Sequence, residues 1–370
     1  EKFGVEWITQ NKEIRDRQTI TLKKGIYENL IKSIENAGKV KVLFSQEEYM
    51  EKRNLFFLCL KCNKTFIDQT DHKPRCLDCY PLYKGFSFME KEIVSWIKEE
   101  FKIINIIENS RKIISPYGLD IYLPDYNLAI EFNGLYWHSE IGNNKDSEYH
   151  KIKTELCSEK RIQLIHIFQD EWVGKQTIVQ SIIKSKLNKC KSLFARKAEY
   201  KEISRKEGAD FFINNHLQGN SDNIIRYFGL FNDQELTFVI GIGKPRYNKN
   251  YDYELIRSCT KLNTTVVGGF EKLMKNIPLK GSIISYVDRR YFNGNSYKSW
   301  NYLEKTRPNY YYLDRKKVII RESRLKYQKH KLPKLFPNVY DDQLTEWEIM
   351  QLAGYDRIWD CGNLTYSKSL

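Results

Sequence analysis

The sequence predicts an α/β (α+β) chain of several modules, and three observations carry that prediction. Between residues 83 and 188 a helix pattern is followed by a hairpin, a second helix and a strand, an order that folds as a mixed sheet flanked by helices. From residue 189 to 370, short apolar strand patterns alternate with helix patterns again. Ahead of both, within residues 55–82, Cys59-Leu60-Lys61-Cys62 and Cys76-Leu77-Asp78-Cys79 form two C-x2-C pairs with a thirteen-residue spacer. Each pair lets two thiolates converge on one ion, so the four together predict a tetrahedral Zn²⁺ ribbon. Four thiolates leave no open position for substrate, which makes that zinc structural.

Composition narrows the function. A chain of 370 residues carrying a net charge of +14, with 25 Tyr and 7 Trp, suits a nucleic-acid partner. It has no run of 18 apolar residues and no signal-peptide pattern, so the expectation is a cytoplasmic protein, neither membrane-spanning nor secreted. Eight cysteines are too few for a disulfide framework at this length, and four spaced for metal suit a reducing compartment.

Residues 1–54 read as a charged, mostly helical segment for DNA contact, with Leu30, Ile31 and Ile34 on one side of a helix over residues 26–37. A strand over residues 40–44 leads to Ser45-Gln46-Glu47-Glu48, a capping box. Around the cysteines, Lys61, Lys64, Lys73 and Arg75 are either DNA contacts or solvated surface, and His72 is not needed as a ligand.

Ser87-Phe88-Met89-Glu90 opens the next helix, with Ile93, Trp96 and Ile97 on one face. Glu90 either closes a capping box or faces a site. Two strands follow, over residues 117–123 and 128–132, joined by the turn residues Pro124, Asp125, Tyr126 and Asn127. A four-residue loop opposes Leu123 to Leu128, and that register sets Asp120 across from Glu131. Two like charges opposed at ~5 Å destabilise a hairpin unless something compensates, and Mg²⁺ is the expected compensator. The alternative is a hairpin edge whose acids are solvated. Asn133 and the run Tyr136-Trp137-His138 add further polar groups at the hairpin's exit.

A helix over residues 146–160 then places Tyr149, Ile152 and Leu156 on an apolar face. His150, Lys153 and Cys157 fall on a second face. Gln163–Phe168 reads as a strand with His166 packed inside, and Asp170-Glu171-Trp172 closes the module.

The stretch LDIYLPDYNLAIEFNGLYWH, with YHKIKTELCSEKRIQLIHIFQDEW after it and SFMEKEIVSWI before it, resembles the PD-(D/E)xK nuclease core. It is most similar to the branch of very-short-patch-repair (Vsr-like) and EDxHD phage homing endonucleases. The opening phrase EKFGVEWITQNKEIRDR resembles a segment preceding that core in phage homing endonucleases. The resemblance implies a metal ligand at Asp120, with Glu131 the next, and a catalytic histidine at His138. It also implies a cleft-facing acid at Glu90 and phosphate or acid–base groups at His150 and Lys153. One position departs: Asn133 stands where the motif lysine is expected, so His138, His150 or Lys153 must take over its role.

In residues 189–370, Leu262-Asn263-Thr264-Thr265-Val266-Val267-Gly268-Gly269 before a helix, with strands over residues 224–230, 236–242, 283–286 and 310–313, resembles the GNAT acyltransferase fold. In detail it is similar to Mom-type phage DNA-modification enzymes. The usual cofactor loop is not intact, so the expectation is a GNAT-like module that grips DNA. Its contacts would be Lys244, Arg246, Lys249, Arg257, Arg289 and Arg290, interleaved with Tyr247, Tyr251 and Tyr291. Helices are expected near residues 271–276 and 297–302.

The sequence therefore predicts a Mg²⁺-dependent, site-specific endonuclease acting on double-stranded DNA, with structural Zn²⁺. The alternatives are a DNA-base acyltransferase with an inactive nuclease module and a non-catalytic zinc-ribbon DNA-binding protein.

Overall fold

The computed structural model describes residues 25–36, 38–52, 54–70, 74–76, 79, 88–143, 145–318 and 320–370. The expected motif in residues 1–17, His72, Lys73 and the Ser87 cap lie outside them. Helix α1 covers residues 25–36. Strand β1 (Val40–Val42), helix α2 (Gln46–Glu51), β2 (Leu55–Cys59) and β3 (Thr65–Asp68) follow, and the strands form an antiparallel sheet in the order β1-β2-β3. Ser45 and Glu48 make the reciprocal capping box at the start of α2. Leu30 and Ile34 of α1 pack with Val40, Tyr49 and Phe57 into a small core.

The central module contains α3 (Phe88–Phe101), β4 (Ile107–Ile114), β5 (Tyr117–Leu123), β6 (Leu128–Asn133), α4 (Glu140–Asn143), α5 (Tyr149–Glu159), β7 (Gln163–Phe168), α6 (Gln169–Gly174) and α7 (Gln176–Lys186). Its sheet has the order β4-β5-β6-β7. The pairs β4–β5 and β5–β6 are antiparallel, whereas β6 and β7 pair parallel. A parallel pair needs a crossover, and α5 provides it. Ile93 and Ile97 of α3 and Val179 and Ile183 of α7 join Ile121, Ile130 and Ile165 in the main core. Cys157 of α5 packs with Ala129 and Leu164. All six residues of β6 are buried, so the strand carrying Glu131 is the most enclosed of the sheet.

The remaining chain begins with β8 (Lys191–Phe194), β9 (Glu199–Ile203), α8 (Arg205–Asn215), β10 (Ile224–Asn232), β11 (Glu235–Gly243) and β12 (Tyr253–Thr260). It continues with β13 (Thr264–Val267), α9 (Gly269–Asn276), β14 (Ser282–Asp288), β15 (Asn301–Lys305), β16 (Tyr310–Asp314) and β17 (Glu322–Ser323). It ends with α10 (Leu332–Leu335), α11 (Glu346–Leu352), β18 (Tyr355–Trp359) and β19 (Asn363–Ser369). A seven-stranded sheet runs β15-β19-β14-β12-β11-β10-β9, and β17-β16-β18 form a separate sheet. Strands β12 and β14 are parallel and pair only over Tyr253–Leu255, although both continue further. The helix expected near residues 297–302 is instead a 3₁₀ turn over Asn295–Tyr297 and then β15. Tyr297 and Trp300 are pinned there by stacking on Phe270 and Tyr366 rather than by helical periodicity.

The last block is joined to the central module through buried charge. Arg290 donates to Glu171 at 2.6 Å and to Asp288 at 2.7 Å. Arg321 pairs with Asp170 at 3.0 Å and with Glu171 at 2.6 Å, and its guanidinium lies 4.0 Å from the Phe168 ring centre. The Arg290 carbonyl accepts the His166 amide on the outer edge of β7 at 2.9 Å, which covers part of an otherwise open strand edge. Asp170 and Glu171, expected only to close the nuclease module, are half of this joint.

Candidate active site

The hairpin has the register that the sequence implies, with Leu123 opposite Leu128 and Ile121 opposite Ile130. Asp120 therefore lies beside β6, where its Oδ2 accepts the Phe132 amide at 2.8 Å. Burial raises the Asp120 carboxyl well above the ordinary value, and Glu131 and then Glu90 push it further. Glu92, two residues on and so about half a turn around the helix, accepts the Trp172 indole N–H at 3.1 Å. Of the four acids on α3, Glu90 is the one whose charge acts on Asp120.

Glu131 is 2% exposed, and so is Lys153. The Lys153 ammonium donates to Glu131 Oε1. Glu131 Oε2 is buried and has no hydrogen-bond partner. Burial raises the Glu131 pKa, opposed first by Lys153. Burial works against the Lys153 charge, but Glu131, Tyr149 and Asp120 outweigh it and raise its pKa. The β6 residue two beyond Glu131 is Asn133, and the amine that reaches Glu131 comes from α5.

The helix positions this amine through its buried stripe. His150, Lys153 and Cys157 are the buried residues of α5, whereas Tyr149, Ile152 and Leu156 are only partly covered. The second face, not the apolar one, is therefore the side of α5 turned inward. Glu131 partners Lys153 and His138 partners His150 Nε2, while His150 Nδ1 is buried without a hydrogen bond.

His138 Nδ1 lies 3.0 Å from His150 Nε2, with the rings nearly parallel at 15°. Burial, then His150, Lys153 and Lys145, holds the His138 pKa well below the ordinary histidine value. Burial and then Lys153 bring His150 to about 3. Both rings are thus neutral near pH 7, and the bond through Nδ1 leaves His138 Nε2 as the nitrogen available to a reacting group. Behind them, the Thr154 hydroxyl donates to the His150 carbonyl at 2.8 Å and meets His166 Nε2 at 2.8 Å. With its proton committed, Thr154 accepts from His166 Nε2–H, so His166 Nδ1 is the acceptor facing the Asn133 amide at 3.4 Å.

Sequence reasoning missed Thr154, Asn133 as a partner of His166, and Tyr149. The Tyr149 ring lies 5.4 Å from the Lys153 ammonium and 4.0 Å from that of Lys145. The spacing of Tyr149 and Lys153, i and i+4 on one helix, was the available signal.

Cys59, Cys62, Cys76 and Cys79 converge as expected, with all four Sγ atoms within 4.8 Å of one another. Cys62 and Cys76 Sγ are 3.8 Å apart. Among the described residues this is the one group of three or more Cys, His, Asp or Glu side chains so arranged. Glu90, Asp120 and Glu131 do not form a comparable trio, which leaves the two hairpin carboxylates.

The six basic residues expected to grip DNA divide. Lys244 and Lys249 are exposed, and Lys249 donates to the Pro245 carbonyl. Arg246 is tied to the buried Glu254. Arg257 is partly buried and bonds to the carbonyls of Gly219 and Ile256. Arg289 and Arg290 are 6% and 2% exposed and are spent on Cys361, Glu155, Glu171 and Asp288. Tyr291 is also buried, with its hydroxyl on Glu171 at 2.8 Å. These three belong to the joint between blocks and cannot meet a DNA surface without unfolding it.

No helix of the described residues is long and apolar enough to cross a membrane. Compared with known proteins, the sequence matches no family model, and none of the curated proteins matches it.

Proposed function

We propose that this chain is a Mg²⁺-dependent endonuclease that hydrolyses phosphodiester bonds in double-stranded DNA, with a PD-(D/E)xK-type core of the Vsr-like/EDxHD kind. The observation that carries the reading is the buried Lys153–Glu131 contact beside Asp120. It restores the acid, acid and amine set that Asn133 interrupts in the sequence.

The residues fit a divalent cation. Glu131 Oε2 is an orphaned buried carboxylate oxygen, and Asp120 shares only one oxygen with the backbone. Asp120 and Glu131 would hold Mg²⁺, which supplies Lewis-acid polarisation of the phosphate when bound. Lys153 fixes the orientation of Glu131 and adds positive charge where negative charge develops on phosphorus. His138, held through Nδ1 by His150, presents Nε2 to take or give a proton. The four-cysteine cluster suits structural zinc, and its S₄ donor set is closed to substrate. Phage homing endonucleases are the nearest functional analogy, and the target would be a defined site. Incubating the full chain with supercoiled plasmid and Mg²⁺ tests the reading; protein that binds but never nicks the plasmid argues against it.

One observation favours a second reading, a GNAT-like acyltransferase. Strands β12 and β14 part after Leu255 and Ser285, and the cavity between them is lined by Gly268 and Gly269 at the start of α9. Calorimetry with acetyl-CoA on the full chain tests it, and micromolar binding would rank it above a DNA-gripping role for this block. A third reading, DNA binding through the cysteine ribbon without chemistry, predicts retained affinity and no cleavage.

A further inference from the structure

The charges around one large cavity do not balance. This cavity, of about 2000 Å³, lies between α6 and α7 on one side and β12 and β14 on the other. Most carboxylates near its wall are committed to arginines, while Asp360 accepts the Asn309 and Gly362 amides and Glu271 meets Lys368 at 3.9 Å. Asp170 and Glu171 bind Arg321 and Arg290, Asp288 binds Arg290, and Glu254 binds Arg246. Of the other cations on the wall, Lys186, Lys298, Arg307 and Arg324 among them, Lys175 and Arg257 are the two that bond into one loop, at Leu217 and Gly219. Lys175 donates to the Leu217 carbonyl, and Arg257 donates to the carbonyls of Gly219 and Ile256 at 3.3 and 2.9 Å. Among the described residues neither has a carboxylate at ion-pair distance.

The two cations are close enough to act on each other. Burial lowers the Lys175 pKa, with Glu171 and Asp170 pulling it back and Arg257 working against them. Burial and then Arg246 bring Arg257 to about 10. His216 beside them is held neutral by burial, Arg257 and Lys175, so it contributes no counter-charge. A cation removed from water without a counterion is costly, and a bound anion relieves that cost. The carbonyl bonds take one ammonium and two guanidinium N–H groups and leave the others for a ligand, while the carboxylates that act on the pair, Asp170, Glu171, Glu254 and Asp288, are already bonded to other arginines.

We propose that Lys175 and Arg257 form a binding site for a phosphate-bearing ligand in this cavity. Phosphate oxygens accept from an ammonium and a guanidinium with charge-assisted bonds, and the guanidinium fork matches two of them. The volume far exceeds one phosphate, and Phe238, Tyr247 and Tyr286 on the wall offer apolar and aromatic surface. The ligand is therefore a nucleotide-like molecule or a nucleic-acid strand whose phosphate is held at this pair. The inference stands whether or not Asp120 and Glu131 cut DNA.

The test is calorimetry on the full chain, without Mg²⁺, using pyrophosphate and a short single-stranded oligonucleotide as separate probes. The wild-type protein should bind at least one. Lys175→Gln and Arg257→Gln should each weaken that binding about tenfold or more, a loss of about 1.4 kcal/mol, while Arg257→Lys weakens it less. Tm without ligand should stay level or rise in the Gln variants, because an uncompensated charge is gone. Binding of pyrophosphate marks a free nucleotide-like ligand, and binding of the oligonucleotide alone marks a strand. If neither probe binds, or if both Gln variants bind as well as wild type, the proposal is overturned. A fall in Tm with unchanged binding would make the two cations scaffold for the Leu217, Gly219 and Ile256 carbonyls.

Discussion

Lys153 on α5 donates to Glu131 on β6, and both side chains are 2% exposed. A buried pair of this kind is worth little net stability against an apolar replacement, yet removing one partner is costly. That asymmetry makes the pair testable by single and double replacement.

The first prediction uses it. Lys153→Met should destabilise the metal-free protein by about 3–5 kcal/mol, because Glu131 is left as an unpaired buried charge. Adding Glu131→Gln should recover most of that loss while cleavage stays absent. Denaturant unfolding of the two single variants and the double variant provides the cycle; additive losses would mean the contact is not an ion pair.

How much of this was legible in the sequence depends on the range of each contact. The hairpin register followed from alternation and a four-residue loop, so Asp120 and Glu131 could be placed together. Helix phase put His150 and Lys153 on one face, but which face turns inward depends on what β6 offers across the cleft. The Glu171–Arg290 pair spans 119 positions, and sequence cannot distinguish an arginine committed to such a partner from a surface one. Arg289 and Arg290 were therefore read as DNA contacts. The 3₁₀ turn at Asn295–Tyr297 escaped notice for a related reason, since ring stacking rather than local propensity holds it.

A second prediction concerns acid. Burial lowers the pKa values of His138, His150, His166 and His216, with His150 at about 3. The unfolded chain then binds more protons than the folded one below about pH 6.5, so these groups cost stability as pH falls through that value. Asp120 and Glu131, with raised values, act in the opposite direction, their cost relieved as pH falls through those raised values. At pH 5 the loss from His150 alone is about 2 kcal/mol. Comparing Tm at pH 7.5 and pH 5 for wild type and His150→Phe should show a smaller drop in the variant. Equal drops would place His150 outside the acid response.

Zinc content is the third. Protein never exposed to chelator should carry one tightly bound Zn²⁺ at Cys59, Cys62, Cys76 and Cys79, and Cys76→Ser should lower that content and loosen the β1–β3 sheet. Less than half a zinc per chain by elemental analysis would contradict this.

A fourth prediction addresses the joint between blocks. Ending the chain near residue 190 would expose Phe168 and leave Glu171 without Arg290 and Arg321. That fragment should aggregate or unfold, and the full chain should melt these two blocks in one transition. A soluble fragment with a cooperative melt of its own would show that the central module stands alone.

The central claim is that Asp120, Glu131 and Lys153 form one hydrolytic site, and strand cleavage tests it most directly. Supercoiled plasmid should be nicked or linearised by the wild-type chain in Mg²⁺ and left intact in EDTA. Asp120→Asn should abolish cleavage, yet leave the metal-free fold as stable as before or slightly more so, since a repelled buried charge has been removed. His138→Ala should slow the chemical step by about 10²–10⁴-fold, with DNA binding in Ca²⁺ retained. Cleavage by Asp120→Asn at the wild-type rate would contradict the account and leave the hairpin as scaffold.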